Sequence, residues 1–228
     1  MEAFLEMKLK NNNDVIPYAK QEESLMLMNG QSKKLKIYPS YFLQNIPGTS
    51  RNLFLRQTVG EKIISIAEKL PADFYLVLID GWRAYETQLF LYKRAIRLFR
   101  KLGYSQQQIK QKINGFVAYP SKSIKNPAPH YSGSAIDLTL SHNEQWLEMG
   151  TAFDDFTEKS YSDYYENRVK LSMNERTARD NRCKLRCLME KAGFACNPTE
   201  WWHYSYGDQT WANVHHTVPL YGGIGKNI

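Results

Sequence analysis

Two short stretches hold the residue types that metal-assisted hydrolysis requires. One is His130-Tyr-Ser-Gly133-Ser-Ala-Ile-Asp137; the other, downstream, is Glu200-Trp-Trp-His203. Two imidazoles and one aspartate make three protein ligands. Zinc takes such nitrogen and carboxylate oxygen donors at about 2.0–2.2 Å and, in catalytic sites, keeps a fourth position for water. The pKa of water held there falls towards ~7. A carboxylate that is not itself a ligand can accept the water proton and pass it to a leaving amine, and Glu200 is the candidate. His130 and Asp137 alone have a plainer explanation, a core histidine bonded to an aspartate. Glu200 and His203 turn the pair into a set.

These residues need elements to hold them. Ile136, Leu138 and Leu140 alternate with Asp137 and Thr139, the period-2 signature of a half-buried strand with Asp137 turned towards a cleft. His130 precedes that strand, after the stiff segment Pro127-Ala-Pro129. Glu200 and His203 are three apart and would face opposite sides of a regular strand. Glu200 is therefore expected just before the strand or at a bend, helped by Pro198. Phe74 to Ile79 is a continuous apolar run of buried-strand type, ending at Asp80-Gly-Trp-Arg83. Arg83 thus stands where a strand hands over to a helix, a frequent place for working residues; otherwise it is a surface arginine near a helix start.

The rest follows from periodicity and punctuation. A helix is expected over Arg51 to Leu70, with Val59, Ile63 and Ile66 inward. Another starts at Tyr85, with Leu89, Tyr92, Ile96 and Phe99 on its inward stripe, and stops near Gly103. Ser105 caps a shorter helix over 106–117, and Ser172-x-x-Glu175 is a capping box for one running to about Ala192. The stretch from Leu35 to Phe42 looks extended. Residues 1–35 look irregular, with turn signals at Asn11 to Asp14 and Asn29-Gly30. The glycine-rich tail beyond 206 looks loose. Asp154 and Asp155, set among aromatics, could recognise a cation or could be ordinary loop acids.

Composition narrows the class. A chain of 228 residues suits one domain, here a single catalytic domain over 1–228 with an N-terminal extension (1–35) and a tail (207–228). The net charge of +7 is scattered over helix faces without aromatic platforms, which argues against nucleic acid. No apolar run nears the ~20 residues that span a bilayer, and the acidic N-terminal residues do not read as a signal peptide. Three cysteines fit small buried thiols in a reducing, cytoplasmic compartment.

The combination His130-x-x-Gly133-x-Ala135-x-Asp137 with Glu200-x-x-His203 resembles the zinc D-alanyl-D-alanine dipeptidases of the VanX type. Their superfamily includes VanY-type carboxypeptidases and the hedgehog domain. Asp80-Gly-Trp-Arg83, Ser134 to Leu140, Met149-Gly with Phe153-Asp154, and Glu200 to Tyr204 follow in the family's order, covering roughly residues 38–206. The resemblance implies one zinc per chain on His130, Asp137 and His203, with Glu200 as general base. It implies Arg83 as the stabiliser of the tetrahedral intermediate, Asp154 as the acid holding the substrate's amino group (Asp155 being the spare), and Tyr41 or Tyr38 as a substrate-facing tyrosine. The expected fold is α+β, a small, mainly antiparallel sheet carrying the zinc site and flanked by helices. The expected partner is a small D,D-dipeptide. One departure is Ala128-Pro129-His130, where family members commonly have Ser-x-His; the missing hydroxyl bears on dipeptide preference. Alternatives are a D,D- or L,D-carboxypeptidase on longer wall peptides and a non-catalytic zinc-holding module.

Overall fold

The computed structural model describes residues 18–113 and 115–224. Eight strands and six α-helices are found among these residues. They are β1 (Leu25–Leu27), β2 (Leu35–Ile37), α1 (Ser40–Leu43), β3 (Phe54–Arg56), α2 (Gln57–Glu68), β4 (Phe74–Asp80), α3 (Tyr85–Lys101) and α4 (Gln106–Ile113). After these come β5 (Ala135–His142), β6 (Gln145–Trp146), α5 (Met173–Lys191), β7 (Ala195–Cys196), β8 (His203–Ser205) and α6 (Gln209–Val214). The main sheet has the order β2-β4-β5-β8-β7, with β6 folded back on β5. Only β2 and β4 run parallel; the other pairs are antiparallel. Elements and sheet together make the expected α+β architecture.

The apolar positions explain the layering. Leu76, Leu78, Ile136, Leu138, Leu140 and Tyr204 line one sheet face, packed with Val59, Ile63 and Ile66 of α2 and Leu185 and Met189 of α5. Each such buried side chain stabilises the fold by roughly 1.5–3 kcal/mol. A second cluster joins Tyr41 and Ile46 to Leu91, Ala95 and Phe99 of α3 and to Ile109 and Ile113 of α4. Between the clusters the sheet is covered on both sides, so β5 is not half-buried: Thr139 and Ser141 are as enclosed as Leu138 and Leu140.

Several sequence expectations are corrected. The helix expected from Arg51 begins at Gln57, because Phe54–Arg56 is instead a strand paired with Leu25–Leu27, which also gives regular structure to part of the N-terminal 35 residues. Tyr41 lies in the short α1 rather than in an extended segment. The buried stripe of α3 runs through Gln88, Leu91, Ala95 and Phe99, with Tyr85 and Leu89 at its margin. α4 ends at Ile113, four residues short, while Ser105 caps it through Gln108 as expected. Cys187 is exposed and Cys183 and Cys196 partly so, not buried thiols. The tail is packed at its two ends, with Asp208 and Ala212 buried, Tyr221 enclosed and Gly222 and Gly223 against Tyr18 and Tyr131, while 213–218 are exposed. Arg56 ties it down by donating to the carbonyls of Ser132, Gln21 and Gly222. The Asn11 to Asp14 turn lies outside the described residues.

Candidate active site

Antiparallel pairing brings the two sequence stretches together. β5 and β8 are in register with Asp137 directly opposite His203, and the bulged end of β4 sets Asp80 beside Asp137. His130 sits on a 3₁₀ turn, Pro129–Ser132, closed by Gly133 at φ 76°. That left-handed conformation suits glycine, and a Cβ there would lie 2.7 Å from Leu25 Cδ2. Glu200 falls in the turn before β8, where His203 N–H donates to its carbonyl (3.1 Å), the bend that the spacing of the two residues required.

His203 Nδ1 lies 2.9 Å from Asp137 Oδ1, and His130 Nε2 lies 3.1 Å from His203 Nδ1 and 3.3 Å from Asp137 Oδ1. One donor atom from each of the three residues lies within 4.8 Å of the others, and all three side chains are buried. His130 Nδ1–H donates to the Gly81 carbonyl (2.7 Å), which leaves the Nε2 lone pair facing the other two residues. Two nitrogens and a carboxylate oxygen therefore converge within hydrogen-bond distance of one another. A cation accepts all three, and the N, N, O set matches a catalytic zinc site with an open corner. Burial would raise the Asp137 pKa, but the His130 and His203 imidazoles hold the carboxyl well below the usual carboxylate range. Burial pulls His203 down, and the bond to Asp137 more than reverses it.

Glu200 approaches His203 Nδ1 to 3.9 Å without joining the set, and Asn197 Nδ2 donates to its Oε2 (2.9 Å). Burial pushes the Glu200 carboxyl up to about 8, only partly offset by His203. Arg83 is clamped on the opposite side. Its Nε donates to Asp80 Oδ2 (2.8 Å), its Nη1 to Gln88 Oε1 (2.8 Å) and its Nη2 to Asp137 Oδ2 at a long 3.4 Å. Burial opposes the charge on Arg83, but Asp80 and its other neighbours raise its pKa, so the guanidinium is permanently charged.

Asp154 sits at φ 64° in the loop after β6. It accepts from Tyr41 Oη at 2.9 Å and from Arg94 Nη2 at 2.8 Å. Burial raises its carboxyl to about 6. Asp155 instead turns its carboxylate to the Thr157 N–H (2.8 Å), as a loop-capping residue. Tyr38 meets Trp146 edge to face, with ring centroids 5.0 Å apart, and is exposed, whereas Tyr41 is buried and lines the cleft.

Tyr41, Arg83, His130, Asp137, Asp154, Glu200 and His203 all line one cleft of about 400 Å³. Pro129 lines it too, while Ala128 is buried behind. Sequence reasoning missed Asp80, Gln88, Arg94 and Asn197. Asp80 was visible as part of the Asp80-Gly-Trp-Arg83 landmark without a role. Gln88 and Arg94 looked like ordinary helix polar residues, and no local pattern marks Asn197.

A model of the M15 peptidases, described as D-ala-D-ala dipeptidase, matches residues 43–220. A D-alanyl-D-alanine dipeptidase of Synechocystis sp. is 34% identical over 112 residues, which cover 47% of this chain and 45% of that protein. One of Enterococcus faecium is 35% identical over 174 residues, 71% of this chain and 77% of that one. The chain thus spans less than half the length of the first relative and about three quarters of the second. A solved structure of VanYB in complex with D-alanine-D-alanine aligns with a TM-score of 0.46 at 17% identity, over 75% of this chain and 83% of that one. With its family model matched across most of its length, the chain belongs to the M15 peptidases described as D-ala-D-ala dipeptidase.

Proposed function

We propose that this protein is a zinc dipeptidase that hydrolyses D-alanyl-D-alanine or a close D,D-dipeptide in cell-wall precursor metabolism or turnover. The observation that carries it is the meeting of His130, Asp137 and His203 beside a non-ligand carboxylate, Glu200, in a cleft whose other end offers an acid. His130 Nε2, Asp137 Oδ1 and His203 Nδ1 would hold the ion. When bound, zinc supplies Lewis acidity and makes water a nucleophile near neutral pH. Glu200, held at Oε2 by Asn197, takes the proton of the attacking water and returns it to the leaving amine. Arg83 presents a guanidinium fixed by Asp80 and Gln88 to the oxyanion that develops on the scissile carbonyl. Asp154 and Tyr41 take the substrate's free ammonium group, and that requirement excludes longer chains.

In this reading residues 1–228 form one catalytic domain working in the cytoplasm, a setting that suits the free cysteines. No helix among the described residues is long and apolar enough to cross a membrane. The test is release of D-alanine from D-Ala-D-Ala, with and without a chelator, and after Glu200→Gln. Both treatments are expected to abolish it; hydrolysis that continues unchanged through both refutes the mechanism. Pentapeptide run in parallel separates a dipeptidase from a carboxypeptidase.

A further inference from the structure

Asp154 does not stand alone at its end of the cleft. Arg94 reaches across from α3, places Nη2 2.8 Å from Asp154 Oδ2, and anchors its Nη1 on Gln44 Oε1 at 2.8 Å. The other carboxylate oxygen takes the Tyr41 hydroxyl. One donor therefore fixes each oxygen, and a carboxylate with about four lone-pair sites still has capacity for an ammonium group. Arg83, the other guanidinium in the cleft, is committed to Asp80.

We propose that Arg94 is the positioning residue of the amino-terminal subsite: it orients the Asp154 carboxylate and keeps it charged, so the substrate's ammonium is recognised by a carboxylate–guanidinium pair rather than by a lone acid. The inference rests on the dipeptidase reading of the cleft. The charged and titratable groups facing Asp154 are Arg94 from α3, Tyr41 from α1, Arg83 after β4, Asp137 from β5 and Glu200 before β8. Burial raises the Asp154 carboxyl, and Arg94 is the foremost group pulling it back. An opposite charge at this range moves a pKa by roughly 1–3 units. Losing it would leave Asp154 largely protonated at neutral pH, without charge for the ammonium.

The test uses the zinc-loaded protein with R94Q and R94K, following kcat and KM for D-Ala-D-Ala from pH 5 to 9. R94Q is expected to raise KM roughly three- to tenfold at pH 7, with kcat within about twofold, and to move the acid limb of kcat/KM upward by about 1.5–2 units. The KM difference should shrink at pH 9, where Asp154 is ionised in both. R94K, keeping charge without the planar fork, should fall between. An unchanged KM and acid limb in R94Q, or a loss confined to kcat, overturns the assignment. Should R94Q lose its fold by near-ultraviolet circular dichroism, R94K decides the matter: a raised KM supports the role and a wild-type KM refutes it. Wild-type protein that releases no D-alanine would instead sink the dipeptidase reading itself.

Discussion

Replacing Arg83 with glutamine separates a chemical role from a structural one. Arg83 and Asp80 are each 8% exposed and joined at 2.8 Å, so the substitution strands a buried carboxylate. Breaking a buried pair from one side costs about 3–5 kcal/mol. Burial already raises the Asp80 pKa, with Arg83 the main group opposing it, so the stranded carboxyl can escape by taking up a proton. That favours the lower end, about 3 kcal/mol, and for a chain of this size a melting point lower by roughly 6–12 °C. The double variant R83Q/D80N removes the stranded charge and is expected to recover most of that loss. Catalysis should behave differently. Removing a fixed oxyanion donor lowers kcat by about 10²–10³, and Asp80→Asn has no means of restoring it. Calorimetric melts and initial rates on wild type, R83Q and R83Q/D80N measure both quantities. A double variant whose kcat returns to within tenfold of wild type would show Arg83 to be a counter-ion for Asp80 and nothing more.

Two further outcomes test the site's scaffold. Burial raises the Asp154 carboxyl from 3.8 to about 6, so between those values the folded protein holds a proton that the unfolded chain releases. The contribution to stability is therefore fully present below about pH 4 and is lost as pH rises through about 6, amounting to up to about 3 kcal/mol at neutral pH. Asp154→Asn should accordingly raise the melting point of metal-free protein at pH 7–8 but not at pH 4; an equal effect at both would contradict the assignment. Gly133→Ala forces a Cβ to within 2.7 Å of Leu25 Cδ2 in a left-handed turn. A cost of about 1–3 kcal/mol and weaker zinc binding by chelator competition are expected. Unchanged zinc affinity would show that the turn does not position His130.

The site was more legible than its surroundings. The alternation of Ile136 to Leu140, the Ser172–Glu175 capping box and the turn before His203 are local signals, and local geometry honours them. The α3 stripe was misread because helix periodicity counts apolar residues, whereas this helix buries Thr87 and Gln88. Both are hydrogen-bonded, Thr87 to the Pro47 carbonyl and Gln88 to the Ala118 carbonyl and Arg83, and so can be buried at little cost. The β1–β3 pair joins segments with no local mark of their partnership. The tail misled for a different reason. Glycines suggest looseness, yet Gly222 and Gly223 let the backbone pack against aromatic rings where a side chain would collide.

The imidazole of His130 takes its orientation from the Gly81 carbonyl, an atom that no codon specifies. A side-chain partner can be lost in one substitution; a main-chain oxygen disappears only if the strand end itself moves. Replacement at residue 81 is obstructed as well, since a Cβ there would come within 2.6 Å of the Phe54 carbonyl oxygen. The orientation of the His130 ring is thus insulated from ordinary genetic drift. Descendants of this fold could exchange much of their surface while inheriting the same ring orientation.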